Sequence, residues 1–252
     1  MRTALVLALP AALVSLAAGA PPATPRHPPS LPGTIVDLTH SFDAETIYWP
    51  TAGSFVLESV AHGVTEKGYF YAANKFCAAE HGGTHLDAPV HFIERAPASE
   101  AIPLDAGMGP AWVVDAVALT GPAIEAADIA SLSIPAGETR LLFKTRNSAL
   151  WGEQGFQPSF IGLDHGASTA LAERGVSLVG IDYLSVAPFG NAIESHRALL
   201  SAGVAILEGI DLREVEPGPV ELLCLPIRLI GSDGAPARAL VRPRTGSGGA
   251  AA

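Results

Sequence analysis

The stretch His81-Gly-Gly-Thr-His85-Leu-Asp87-Ala-Pro-Val-His91 decides how the fold of this chain is interpreted. It holds three imidazoles and one carboxylate within eleven residues. Imidazole nitrogens and carboxylate oxygens are the ligands that zinc and manganese accept in hydrolytic sites. A single histidine is usually structural, but three beside an aspartate in so short a span favour a metal site.

The glycines and the proline of this stretch limit its conformation. Gly82, Gly83 and Pro89 disfavour a helix, and alternate side chains of an extended chain share one face. Pro89 restricts such a strand to a sheet edge or breaks it into a turn. We also expect the glycine pair to let the backbone approach an ion, and Thr84 to hold a ligand in place.

Working outward, many short apolar runs predict strands and fewer segments predict helices. The predicted strands are 34–39, 55–61, 112–119, 140–144, 178–183, 204–207 and 220–230. The predicted helices are 168–174 and 195–202, each with a serine cap and a following glycine. The aromatic run 69–71 predicts a further strand with one face in the core. The pattern predicts a single α/β domain with a mixed, strand-rich sheet core and a few flanking helices.

The second predicted helix supports a geometric hypothesis about two distant residues. The helix climbs about 9 Å over six residues, and the strand after Gly203 returns about 13 Å over four. If helix and strand are antiparallel, His196 and Glu208 finish near the same edge of the sheet. The two residues, twelve positions apart in the sequence, would then lie close together in the structure.

The stretch 81–91 resembles the signature H-x-G-T-H-x-D-x-P-x-H of the cyclase family, which contains bacterial kynurenine formamidase and isatin hydrolase. Seven spaced positions agree. The resemblance implies a cyclase-like swivelling β/β/α fold and covers roughly residues 34–242. Further similar segments are Asp37-Leu-Thr-His40, Tyr48-Trp49-Pro50, 180–186 and 196–208.

The resemblance also implies roles for individual residues. Carried over by position, the metal ligands would be His81, His85, Asp87, His196 and Glu208. Asp87 and Glu208 would bridge two ions, His91 would shuttle protons, and Trp49 with Tyr48 would face a substrate. The ion would be Zn²⁺, one or two per chain, with Mn²⁺ as the alternative. Family members commonly form dimers or tetramers, so a homodimer or homotetramer is expected.

These roles predict a metal-dependent hydrolase that acts on carbon–nitrogen bonds other than peptide bonds, like an arylformamidase. A divalent ion lowers the pKa of bound water to about 7 and stabilises an oxyanion. The substrate would be a small amide, formamide, lactam or lactone, and an aromatic one would suit Trp49. The alternative is an exported metal- or solute-binding protein without catalysis. Thr51-Ala52 stands where the formamidase pattern reads Gly-Asp, which leaves the substrate open.

Composition and terminal segments suggest where the protein works. The net charge is −10 without a run of Lys or Arg, which disfavours nucleic acid and anionic membranes as partners. Residues 1–20 are typical of a signal peptide, which predicts a secreted or periplasmic protein without a membrane span after leader removal. A Pro-rich linker (21–33) precedes the 34–242 domain, and 243–252 is a predicted disordered tail. Cys77 and Cys224 are predicted to be buried free thiols, although a bridge between them stays open.

Overall fold

A closed ring of seven strands forms the core of the computed structural model, which describes residues 34–244. The strands are β1 (Val36–Asp37), β2 (Val56–Val64), β3 (Phe70–Cys77), β4 (His85–Asp87), β5 (Met108–Asp115), β6 (Ala123–Ile124), β7 (Arg140–Lys144), β8 (Gly162–Leu163), β9 (Leu178–Ile181), β10 (Ala205–Glu208), β11 (Gly218–Pro226) and β12 (Gly234–Pro243). The helices are α1 (Ala126–Ser131), α2 (His165–Glu173) and α3 (Ile193–Ser201). Short 3-10 helices span Pro89–His91, Ser99–Ala101, Leu104–Ala106 and Arg146–Gly152.

The ring runs in the order β12-β11-β5-β7-β9-β10-β4, and β4 closes it by pairing with β12. Pairings among β5, β7, β9 and β10 are parallel, whereas β4, β11 and β12 pair antiparallel. β1 adds to β12 from outside the ring. The prediction of a single α/β domain with a mixed, strand-rich core and few helices is therefore confirmed.

Alternating side chains of the ring strands pack into two separate hydrophobic cores. Leu142 belongs to a cluster without residues of α1, α2 or α3, which fills the inside of the ring. Its neighbours Leu141 and Phe143 pack instead with Leu171 of α2 and Leu199 of α3. Because successive strand residues face opposite sides, one strand serves both cores. The helices thus cover one outer side of the ring, and α3 is held there against β10.

Both predicted helices exist, but their caps are not the predicted serines. α2 starts after Asp164, whose Oδ1 accepts the Ala167 amide at 2.7 Å, and Ser168 lies inside the helix. The Ser195 hydroxyl of α3 donates to the Leu163 carbonyl instead of capping. The glycines that follow, Gly175 and Gly203, both have φ of +77°, as expected for helix ends.

The hairpin of β2 and β3 forms a separate two-stranded sheet that pairs with no strand of the ring. The prediction that the run 69–71 has one face in the core is wrong, because Tyr69, Phe70 and Tyr71 are all exposed. Cys77, at the end of β3, is exposed as well, which corrects the prediction of two buried thiols. Cys224 is buried, and both cysteines are free.

The predicted signal peptide and linker, and the tail beyond residue 244, lie outside the described residues. β12 extends to Pro243, one residue beyond the predicted domain end. Within residues 34–244, no helix is both long enough and apolar enough to cross a bilayer.

Candidate metal centre

The short strand β4 carries two of the predicted ligands and is held from both sides. His85 lies opposite Glu208 of β10, and Asp87 lies opposite Gly234 of β12. Residues at positions i and i+2 of a strand share a face, so the His85 and Asp87 side chains point the same way. Both are almost completely buried. The backbone of this segment is therefore fixed where its side chains meet those of β10.

Two buried carboxylates and three imidazoles meet at this point. His85 Nε2 lies 3.5 Å from Asp87 Oδ1 and 3.3 Å from Glu208 Oε2. His196 Nε2 lies 3.2 Å from Glu208 Oε1 and 3.5 Å from Asp87 Oδ2. His81 Nδ1 lies 3.0 Å from Asp87 Oδ1. The helix–strand geometry thus predicted correctly that His196 and Glu208 would meet.

Backbone carbonyls orient two of these imidazoles. His85 Nδ1 lies 3.1 Å from the Gly83 carbonyl, and His196 Nδ1 lies 2.7 Å from the Ala192 carbonyl. A carbonyl only accepts hydrogen bonds, so Nδ1 of each ring carries the proton. In the neutral rings, the Nε2 lone pairs then face the carboxylate oxygens. Two acceptors at such distances repel each other unless a proton or a metal cation lies between them.

These imidazole and carboxylate atoms fit a divalent cation, which would lie between the acceptors that face each other. Buried His85 Nε2 and Asp87 Oδ2 have no hydrogen-bond partner within the described part of the chain. Two groups of three potential ligand atoms lie within 4.8 Å of one another and share Asp87. They are His81, His85 and Asp87, and Asp87, His196 and Glu208. The shared aspartate is consistent with one ion or with a bridged pair, and the individual ligand roles stay predictions.

Electrostatics favour charge separation in the cluster. Burial raises the pKa of Asp87, but the hydrogen bond from His81 and the nearby imidazoles outweigh burial and hold this pKa well below its usual range. Burial lowers the pKa of His81, yet the hydrogen bond to Asp87 and the surrounding carboxylates raise it to about 9. The carboxylates are thus kept ionised, which is the form that binds a cation.

His91 reaches the cluster through a turn and not through a continued strand. Pro89 allowed either a strand at a sheet edge or a turn. The structure has the turn, because Pro89 starts the 3-10 helix Pro89–His91. The His91 ring stacks on His81, with ring centroids 3.9 Å apart. Its Nδ1 lies 2.9 Å from Asp233 Oδ2. Burial is the main cause that lowers the pKa of His91 below its ordinary value.

Gly82 and Thr84 have specific contacts in the structure. A Cβ at Gly82 would lie 1.9 Å from the Tyr48 ring, so this glycine makes room for that ring, and the approach of the backbone to an ion stays a prediction. The Thr84 hydroxyl donates to the carbonyl of Gly209, the neighbour of Glu208, and accepts the His40 amide. Both residues fix backbone segments next to predicted ligands.

An open cleft of about 860 Å³ lies beside the cluster and contains both predicted substrate-facing residues, Tyr48 and Trp49. None of the five predicted ligands lines it. The link is Tyr48, whose ring packs on Gly82, the neighbour of His81. Trp49 and Phe156 form an aromatic wall of the cleft, with ring centroids 5.1 Å apart. Phe189 packs against Trp49 at 5.3 Å without lining the cleft.

Sequence reasoning missed Asp233, which belongs to a third group of potential ligands with His81 and His91. It also missed Gly234, where a Cβ would lie 2.5 Å from the His81 ring. In the sequence, Gly231-Ser-Asp233-Gly234 is typical only of a turn. Asp233 is therefore identified by its position beside β4, which strand pairing fixes, and not by its local sequence.

Comparison with known proteins places this geometry in a wider group. The Cyclase family model, described as "Putative cyclase", matches residues 36–188. The chain is 34% identical over 209 residues to the kynurenine formamidase of Salinibacter ruber. This match covers 82% of the chain and 97% of that protein.

Solved structures agree with this relationship. The chain is similar to one described as a "Potential Metal-Dependent Hydrolase With Cyclase Activity", with a TM-score of 0.71, 31% identity and coverage of 82% of this chain and 96% of that one. Isatin hydrolase A from Ralstonia solanacearum shares the fold, with a TM-score of 0.70, 24% identity and coverage of 82% and 91%. The family model matches more than half of the chain, and the chain therefore belongs to the Cyclase family.

Proposed function

We propose that the chain is a metal-dependent hydrolase that opens or cleaves a small amide, formamide, lactam or lactone. The observation that carries the proposal is the pair of buried carboxylates, Asp87 and Glu208, facing three imidazoles across 3.0–3.5 Å. The similarity of the chain to the Salinibacter ruber kynurenine formamidase supports a carbon–nitrogen bond as the target. Zn²⁺ is the first choice of ion, because imidazole and carboxylate ligands suit it, and Mn²⁺ is the alternative.

Five residues would hold one or two ions, namely His81, His85, Asp87, His196 and Glu208. A bound ion supplies a Lewis acid that makes water nucleophilic at neutral pH and stabilises developing negative charge. The chain contributes two ionised carboxylates and two imidazoles whose Nδ1 atoms face backbone carbonyls, which leaves Nε2 for the ion. This preorganisation avoids the rotation of ligands that an exposed site would need.

His91 would transfer the proton in this reaction. Asp233 holds its Nδ1, which leaves Nε2 to accept a proton from water and to return it to the departing nitrogen or oxygen. Burial lowers the pKa of His91, which favours the neutral ring, whose Nε2 lone pair is able to accept a proton. A protein that only binds metal has no use for such a group, which favours the enzyme over the binding protein.

The aromatic wall of the cleft supports a flat or aromatic substrate. Trp49 and Phe156 line the cleft with ring centroids 5.1 Å apart, and an aromatic ring that enters the cleft is able to stack on them. The buried Tyr48 hydroxyl has no hydrogen-bond partner within residues 34–244, so it is available to a polar group of the substrate. We therefore expect Trp49 and Tyr48 to contact the substrate.

The exposed hairpin supports assembly into a homodimer or homotetramer. Val60 of β2 and Phe70 of β3 are both more than 60% exposed, and the two strands carry further exposed apolar side chains. An isolated two-stranded sheet is marginal in water, and exposed apolar patches of this kind mark interaction sites. We also propose that residues 1–20 direct export to the periplasm or the medium, which fractionation of cells that express the full chain tests.

The test combines metal analysis with turnover. Purified protein is analysed for zinc and manganese and is then assayed with N-formylkynurenine, isatin and simple lactones. We expect hydrolysis of at least one of them, loss of activity with a chelator, and recovery on addition of Zn²⁺ or Mn²⁺. Stoichiometric metal without any turnover would support the binding protein instead. Turnover that is indifferent to the chelator would overturn the proposal.

A further inference from the structure

The Asp233 carboxylate lies next to two imidazoles of the site, which stack on each other. Its Oδ2 lies 2.9 Å from His91 Nδ1 and 3.2 Å from His81 Nε2. The carboxylate is about half-exposed, whereas the two rings are largely buried. It accepts a hydrogen bond from His91 Nδ1, whereas His81 Nε2 has no hydrogen-bond partner within residues 34–244.

Strand pairing fixes the position of this carboxylate. The Asp233 carbonyl accepts the Ala88 amide at 2.9 Å, and the next residue, Gly234, lies opposite Asp87. Gly234 has no side chain, and a Cβ there would lie 2.5 Å from the His81 ring. The pairing of β12 with β4 therefore places Asp233 next to the two imidazoles.

A carboxylate acceptor selects which nitrogen of a neutral imidazole carries the proton. On His91 it favours the proton at Nδ1, so the Nε2 lone pair is left free. His81 is oriented by a different carboxylate, because its Nδ1 hydrogen-bonds to Asp87 Oδ1 at 3.0 Å. Without Asp233, the His91 ring would populate both tautomers.

We propose that Asp233 is a positioning residue that holds His91 in the tautomer with a free Nε2. The kinetic part of this inference rests on the proposed function, in which His91 transfers the proton. The tautomers themselves do not depend on catalysis. In the competing arrangement, Asp233, His81 and His91 form a ligand group of their own.

The first experiment measures the tautomers in metal-free protein. Nitrogen-15 NMR of the imidazoles, at a pH where the His91 ring is neutral, distinguishes protonated from unprotonated ring nitrogens, and His91→Ala assigns the His91 signals. We expect a proton at His91 Nδ1 in the wild type and a tautomer mixture in Asp233→Ala. The control Asp115→Ala removes an exposed carboxylate on β5 and leaves the tautomers unchanged. A proton fixed at His91 Nε2 in the wild type would overturn the proposal, even if the protein hydrolyses nothing.

The second experiment measures kinetics and metal content of Asp233→Ala, Asp233→Asn and His91→Ala, and of the double alanine variant. We expect Asp233→Ala to keep its metal and its KM while kcat falls about 10–100-fold, the range for loss of a residue that orients a catalytic group. Asp233→Asn, which keeps an acceptor oxygen, recovers part of kcat. The double variant is no slower than His91→Ala, because Asp233 acts through His91.

Two results contradict this inference while leaving the hydrolase proposal intact. Multiplicative losses in the double variant would show that Asp233 acts independently of His91. Metal loss in both Asp233→Ala and His91→Ala would instead assign the two residues to a ligand group. If no substrate is turned over by the wild type, the proposed function fails, and the tautomer measurement still decides the role of Asp233.

Discussion

His196 Nε2 lies 3.2 Å from Glu208 Oε1, although twelve positions separate the two residues in the chain. α3 ends at Ser201, Gly203 reverses the chain with φ of +77°, and β10 returns from Ala205. β4 then pairs with β10, so His85 lies opposite Glu208. One helix–strand unit and one short strand thus bring predicted ligands from two distant stretches together.

The two roles predicted within the motif separate on substitution. We expect Asp87→Ala to lose bound metal, because Asp87 belongs to both buried ligand groups. His91→Ala keeps the metal and loses kcat by about 10²–10⁴-fold, the range for loss of general acid–base catalysis. Metal analysis beside steady-state kinetics checks both, with Asp115→Ala as the exposed control. Full activity in either variant would contradict the assignment.

A methyl group at Gly82 would strike the Tyr48 ring. A Cβ there lies 1.9 Å from that ring, so we expect Gly82→Ala to lower the free energy of unfolding by about 1–3 kcal/mol, as overpacking does. Denaturant unfolding measures the loss. Gly53→Ala is the matched control, because nothing lies within 4 Å of its added methyl. Adding Tyr48→Ala should relieve the clash, so purely additive losses in the double variant would refute this explanation.

The exposed hairpin gives a prediction for assembly. Phe70→Asp or Val60→Asp places a charge on an apolar surface, so we expect either variant to lower the molar mass measured by light scattering after size exclusion. Leu104→Asp is the control, since Leu104 is comparably exposed outside the hairpin. An unchanged oligomer in both hairpin variants, or a monomeric wild type, would exclude the hairpin as the interface.

The pairing of β1 with β12 gives a pH dependence. Burial raises the pKa of Asp37, but the hydrogen bonds from Arg238 and Thr39 outweigh burial and hold the pKa below its ordinary value of 3.8. A group with a lowered pKa in the folded state stabilises it above the unfolded pKa, and this stability is lost as the pH falls through the folded pKa. The destabilisation by Asp37→Asn should therefore be largest near neutral pH and shrink below about pH 4.

Chemical denaturation across this pH range checks the prediction. Asp115→Asn is the control, because Asp115 is exposed and its carboxylate accepts a backbone hydrogen bond from Val117. A loss from Asp37→Asn that stays constant between about pH 7 and about pH 3 would mean that the carboxylate charge does not contribute.

Local pattern was sufficient for much of the fold. β7 has the predicted bounds 140–144, and β9 and β10 lie within two residues of theirs, because buried parallel strands form continuous apolar runs. Gly175 and Gly203 marked the helix ends through their conformational freedom. The helix starts were misplaced because Asp164 and the backbone took the roles assigned to serines.

The sequence by itself determined which donor atoms the site offers, since imidazoles and carboxylates at this local spacing are ligands that zinc and manganese accept. It also determined the link between His196 and Glu208, because the lengths of one helix and one strand fix it. Only the tertiary structure decided that Asp233 meets His91 and that Gly82 accommodates Tyr48. Those contacts depend on strand pairing and packing between segments far apart in the chain, and no local pattern encodes such partners.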